Sequence, residues 1–271
     1  MMGNYDMTGW PQVAYTYDGT FDGFLTCVYE SYVHRERAAA FSAPGQAQIS
    51  LYPERPVDTH PDHARRVRQS LPRRLSPQGA RLVIYGFLTA LPDREQSLYD
   101  FLALGFQRGP SVLHDLTDQR VFTLDQAVKY LTGEAHLLKG FIRFSDQDGV
   151  LTAEIEPRNR VLPLLRPHFC ARYPSEAFII YDRTHREALF YRPGQWAIVP
   201  LEDFRVAGPD KEERDWRGLW RQFYRTVSIE GRYNPRCRMI HMPKRYWGCM
   251  TEFQTDPPEH SAALPGGDGG P

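Results

Sequence analysis

At 271 residues, with 41% hydrophobic and 24% charged residues, the chain has ordinary globular composition and enough length for one large domain or two small ones. Lys+Arg 33 against Asp+Glu 33 leaves it formally neutral, so any charged face must be balanced elsewhere in the molecule. No apolar run approaches bilayer length, which excludes a membrane-spanning helix.

The first residues, "MMGNYDMTGWPQ", lack the basic and apolar regions of a signal peptide, and a cytoplasmic location is expected. Residues 1–11 read as a flexible lead. The four cysteines, Cys27, Cys170, Cys237 and Cys249, are all more than four positions apart. That spacing fits neither a zinc knuckle nor a CxxC redox pair, nor the three-cysteine cluster of radical-SAM enzymes. No metal and no cofactor is expected.

"VAYTY" (13–17) reads as a strand, and "DGT" turns it into a helix from about Phe21. In that helix Phe21, Phe24, Leu25, Val28 and Tyr32 recur at helical spacing. Residues 40–60 are loop-rich, with "AQISLY" as a candidate strand. From about 60 to 139 the pattern is helical, with breaks expected at Pro72, Pro92 and Pro110. The period then changes over 140–200: "GFIRF", "VLTAEIE", "AFIIYDR", "EALFYR" and "WAIVP" read as strands separated by turn signals such as "DQDG". One helix, about 161–173, interrupts them. Helices return over 212–253, and residues 254–271, rich in Pro and Gly, read as a disordered tail. The expected fold is α+β in a single domain over 12–253: an N-terminal strand and helices, a central, mostly antiparallel meander, and C-terminal helices.

The C-terminal helix carries two stripes. At about 100° per residue, Trp216, Leu219, Trp220, Phe223, Tyr224 and Val227 fall on one side, expected to pack on the core. Arg214, Arg217, Arg221 and Arg225 fall on the other, expected to face solvent. Arg221 and Arg225 have no acid three or four positions away, and like charges at that spacing cost about 0.2–0.5 kcal/mol per pair. From Arg214 to Trp247 there are nine Lys and Arg against Asp215 and Glu230, so the chain is polarised although neutral. A second basic run, "ARRVRQSLPRRLSPQGAR" (64–81), holds six arginines and no acid.

Within "RYNPRCRMIHMPKRYW" (232–247), Asn234 and Pro235 make a helix start, and Pro243 opens a second helix with Lys244 and Arg245 in its first turn. Cations there oppose the helix dipole unless an anion sits at that end. The nucleic-acid-binding candidates are Arg217, Arg221, Arg225, Arg232, Asn234, Arg236, Arg238, His241, Lys244, Arg245 and Tyr246, with Tyr246 as a base-stacking ring. Trp247 reads as core.

The segments "YDGTFDGFLTCVYESY", "GEAHLLKGFIRF", "VLPLLRPHFCARYP", "IYDRTHREALFY" and "NPRCRMIHMPKRYW" together resemble a bacterial family of DNA-metabolism and DNA-repair proteins, a domain of unknown function (DUF4130), over about 13–253. The resemblance implies a gene neighbourhood with a radical-SAM DNA-repair protein, and fusion to uracil-DNA-glycosylase-like domains in relatives. It implies no established active site, and this chain lacks the glycosylase part.

Weak catalytic candidates are Asp18, Glu134, His136 and Asp182. Glu134 borders an apolar helical stripe and reads as a structural carboxylate paired with Arg143 or another arginine; His136 points away. Asp18 and Thr20 read as turn and cap residues at a strand-to-helix junction, without the glycine pattern of a phosphate loop. Three readings stay open: a DNA-binding protein acting beside a radical-SAM enzyme, a repair enzyme in its own right, and an RNA-binding or acidic-protein interaction module.

Overall fold

The structure, a computed structural model, describes residues 7, 9–45, 50–202, 204, 211–227, 239 and 241–254; at 211–213, 215, 224, 225 and 227 only the backbone is described. The chain assembles as two compact units where the sequence reads as one domain: Met1–Leu137 with Pro157–Leu165, and Leu138–Glu156 with Arg166–Pro271. Two of the passages between the units, at 137–138 and 165–166, fall within helices that sequence periodicity reads straight through, and the third lies in the loop after the strand ending at Ile155.

The first unit is built on three parallel strands, β1 (Gln12–Thr16), β2 (Arg37–Ser42) and β3 (Glu54–Pro56), in the order β2-β1-β3. Parallel neighbours need a crossover, and α1 (Phe21–His34) supplies the one from β1 to β2. Asp18 and Thr20 set the entry to α1. The Thr20 side chain accepts from Gly23 N at 2.9 Å, the expected N-cap, and Asp18 accepts from the Thr20 N–H and hydroxyl at 2.9 and 2.7 Å. The Thr59 hydroxyl donates to the second Asp18 oxygen at 2.6 Å, so the β1–α1 turn is tied to the chain leaving β3.

The expected break at Pro72 does not occur. Helix α2 (Pro61–Gly86) runs through Pro72, which lies exposed where water can take the carbonyl it orphans, and breaks instead at Ser76 (φ 76°), before Pro77. After Pro92, α3 (Arg94–Arg108) follows, and Pro110 falls in a 3-10 turn, Gly109–His114. Phe24, Phe41, Phe87 and Tyr99 make successive ring contacts of 5.4–5.8 Å, with Leu71, Leu75, Leu98 and Leu102 fully buried in the same core. Of "AQISLY", residues 47–49 lie outside the described residues and 50–52 carry no strand; β3 falls just beyond.

The second unit holds a five-stranded sheet in sequence order: β4 (Ser145–Gln147), β5 (Val150–Ile155), β6 (Ala177–Asp182), β7 (Glu187–Arg192) and β8 (Gln195–Pro200). All pairings are antiparallel except β5–β6, which α5 (Leu162–Arg172) bridges. Asp148 and Gly149, both at positive φ, make the tight β4–β5 hairpin. "GFIRF" is not a strand. Helix α4 (Gln119–Phe141) continues through Gly140, and the Ile142 N–H still donates to Leu138 O at 3.0 Å, so the helical period outlasts the local β preference. After the sheet come α6 (Lys211–Val227) and two 3-10 turns, Lys244–Cys249 and Thr251–Phe253. Among the described residues no helix is long and apolar enough to cross a membrane.

Gly23 offers a test of how tightly the β1–α1 junction is built. A Cβ there would collide with Asp18 Oδ1 and stand 2.9 Å from a Tyr17 ring carbon. Gly23→Ala should lower stability by about 1–3 kcal/mol in urea unfolding. Gly133→Ala, in α4 with nothing within 4 Å, should be neutral or stabilise by up to about 1 kcal/mol.

Candidate functional site

The second unit gathers four arginines around one cleft of about 320 Å³: Arg143, Arg183, Arg217 and Arg245, with Glu154 and Glu156 on the same wall. Arg143 follows the end of α4, and its guanidinium turns back onto Gly140 O at 2.8 Å, satisfying a C-terminal carbonyl. It also donates to Glu252 Oε1 at 3.1 Å. The Glu252 side chain is 2% exposed, and its other oxygen accepts from the Trp220 indole N–H at 3.1 Å. The Arg143 Nε is buried with no hydrogen-bond partner among the described residues. Its guanidinium lies 5.6 Å from the Trp220 ring centroid, within cation–π range.

The other three arginines come from separate elements. Arg183, leaving β6, pairs with Glu154 at 2.8 Å and Glu156 at 2.9 Å across the sheet. Burial raises the Glu154 pKa, Arg183 opposes the shift, and the nearby Glu156 charge reinforces it. Arg217, on α6, donates to Ser145 Oγ at 2.5 Å and Gln254 Oε1 at 3.4 Å. Arg245 is exposed, lies 4.6 Å over the Tyr246 ring and donates to its hydroxyl at 2.6 Å. Cys249, beside them, is no nucleophile: burial pushes its thiol up to about 11, and it donates to Tyr246 O at 2.9 Å.

Helix α6 is turned opposite to expectation. Arg217 and Arg221 are half-buried, Arg221 donating to Gln254 O at 3.3 Å, whereas Trp216 (63%), Leu219 (57%), Trp220 (40%) and Phe223 (56%) are exposed. The surface beneath offers Ser145 Oγ and two Gln254 oxygens, which accept from Arg217 and Arg221.

Tyr246 departs from its expected role as a stacking ring. It is 2% exposed and packs on Phe141 at 5.6 Å, because the turn that carries it is 3-10 and folds it inward. The short helix expected after Pro243 forms as a six-residue 3-10 helix with Lys244 and Arg245 at its start. Trp247 stacks on Phe253 at 4.4 Å, the packing role the sequence favours. Lys244 and His241 are exposed. Arg232, Asn234, Arg236 and Arg238, and the side chain of Arg225, lie outside the described residues.

None of the weak catalytic candidates is among the residues that line this cleft. Glu134 is buried and accepts from the Arg158 N–H at 3.1 Å and from the Asn159 N–H and side-chain amide at 2.9 and 2.7 Å. It is a structural carboxylate, as expected, and Arg143 pairs with Glu252. His136 is exposed on the far side of the helix. Asp18 serves the β1–α1 turn. Burial raises its pKa, but the hydrogen bonds from Thr59 and Thr20 outweigh that and hold it below the usual carboxylate value.

Asp182, fully buried, accepts from the His185 N–H at 3.1 Å and pairs with His185 Nδ1 at 2.6 Å. Glu187 stands opposite Asp182 across the β6–β7 pair. One ligand atom from each of Asp182, His185 and Glu187 lies within 4.8 Å of the others, a set chemically able to hold a transition metal. The spacing of Asp182, His185 and Glu187 becomes a cluster through the hairpin register.

Residues 92–252 match a protein family described as a domain of unknown function, DUF4130. The chain belongs to this family. The match contains the arginine-lined cleft except Gln254, and it leaves β1, α1, β2, β3 and α2 outside. No curated protein matches the chain in sequence.

Glu134→Ala should cost about 1–3 kcal/mol for each buried donor left unsatisfied, seen as a lower Tm, because the 158–159 loop loses its acceptor. The Asp18 contribution has a defined sign. Its folded-state pKa lies below the ordinary 3.8, so its stabilisation is complete above that value and is lost as pH falls through the depressed one. Asp18→Asn should therefore reduce the drop in Tm on acidification through this range while lowering stability at neutral pH.

Proposed function

We propose that this protein binds nucleic acid, DNA in the first place, through the arginine-lined cleft of its second unit, and serves DNA repair or base modification beside a radical-SAM enzyme. The observation that carries the reading is the meeting of Arg143, Arg183, Arg217 and Arg245, from four separate elements, on one cleft. Guanidinium groups suit phosphate because their planar N–H forks match its oxygens, and two carboxylates in the same wall leave the lining net positive. The cleft volume falls within the range of ligand sites and is of a size for a nucleotide unit rather than a duplex. The excess of cations between Arg214 and Trp247 supplies a wider field around it. The repair context rests on the family resemblance and not on geometry.

A second reading, catalysis by the chain itself, draws on Asp182, His185 and Glu187. Turnover of damaged oligonucleotides that requires divalent metal and disappears in Asp182→Asn would favour it.

The binding reading is tested by titrating labelled oligonucleotides across a salt series. With about five phosphates neutralised, the slope of log K against log salt should be near −4 to −5. Lys244→Glu with Arg245→Glu, both exposed, should weaken binding at least tenfold at about 0.1 M salt and flatten the slope by about two. Unchanged affinity for single- and double-stranded DNA and for RNA would overturn the reading and assign the arginines to a protein partner.

A further inference from the structure

The outward face of α6 is not absorbed by the cleft. Trp216, Leu219, Trp220 and Phe223 stand on consecutive turns, 40–63% exposed, in a helix whose other side is fastened down through Arg217 and Arg221. Contiguous apolar exposure of this kind marks a binding surface. Its residue types narrow the occupant, since three of the four are aromatic. The Trp220 and Phe223 rings lie 5.7 Å apart with planes only 33° from parallel. The Trp220 indole is held by its N–H on Glu252, so its orientation is set before any ligand arrives.

The charges beside the face point the same way. Arg143 lies over the Trp220 ring and also lines the cleft, and Arg217 lines the cleft one turn from Trp220 on the same helix. The aromatic face and the arginine cleft are therefore continuous through these residues. A strand whose phosphates enter the cleft would bring its bases against the aromatic rings. The net positive charge of 214–247 disfavours a second copy of the same surface as the cover.

Resting on the nucleic-acid reading above, we propose that Trp216, Trp220 and Phe223 form a stacking surface for the bases of single-stranded nucleic acid. In a duplex the base faces are already covered by their neighbours, and only edges and backbone remain exposed. Unpaired bases present both faces, and stacking on aromatic side chains tolerates any sequence.

The test uses the full chain with single-stranded and duplex oligonucleotides of one sequence. Wild type should bind the single strand more tightly, with quenching of tryptophan fluorescence. Trp216→Ala with Phe223→Ala should weaken single-strand binding about 10- to 100-fold, leave duplex binding nearly unchanged and keep the salt slope, because no phosphate contact is removed. Trp216→Phe with Phe223→Tyr, which keeps the rings, should retain wild-type affinity. Full single-strand affinity in the alanine variant, with a wild-type salt slope, would overturn the stacking surface while leaving the cleft reading intact. Absence of nucleic-acid binding by wild type would overturn both. Self-association of wild type that the alanine variant loses, with nucleic-acid affinity unchanged, would assign the face to a protein contact and also overturn the proposal.

Discussion

The second unit depends on one buried carboxylate. Glu252, on a 3-10 turn near the end of the described chain, accepts from Arg143 with one oxygen and from Trp220 with the other. A charge with a side chain 2% exposed cannot rely on water, so its partners must stay in place. Removing one member of a buried pair typically costs about 3–5 kcal/mol, because the other charge is left stranded. This single group fastens α6 to the chain leaving α4, fixes the Arg143 guanidinium on the cleft wall and sets the orientation of the Trp220 ring. The cleft and the aromatic face thus share a support.

The arginines of this unit are satisfied in different ways, and the difference bears on what each could do. Arg183 is held between two glutamates, and Arg217 and Arg221 are fastened to side-chain and backbone oxygens of Ser145 and Gln254. Arg245 is exposed, and among the described residues its donors reach the neighbouring phenol alone. Guanidinium groups have five N–H donors, so these internal bonds orient each group. Pre-organisation of this kind lowers the ordering cost of binding, since the long side chains are already placed.

The first unit follows another logic. Its central strand, β1, is flanked by β2 and β3, and the turns leaving β1 and β3 are tied together by Asp18 and Thr59. Asp18, Thr20 and Gly23 form one packed junction, in which the carboxylate needs the space that a glycine leaves. The DUF4130 match runs from the start of α3 to Glu252 and does not reach this junction.

Local patterns in the sequence determined most of the elements. The Thr20 cap, the Asp148–Gly149 hairpin, α5 and the strands β5 to β8 are legible because each depends on side chains and backbone within a few residues. The structural role of Glu134 and the packing of Trp247 were legible from helical periodicity. Whereas the break at Ser76 follows locally from Pro77, that Pro72 is tolerated, where α4 overruns "GFIRF", and how the chain divides into two units depended on contacts distant in sequence. So did the site. The cleft joins residues from 138 to 254, whereas the Asp182, His185 and Glu187 cluster lies within six positions and forms through the local hairpin register. The orientation of α6 is the clearest case. A helical wheel separates the aromatic stripe from the arginine stripe, because that depends only on the 3.6-residue period. Which stripe turns inward was decided by the oxygen acceptors of Ser145 and Gln254, which hold Arg217 and Arg221, and these come together only when the chain has folded.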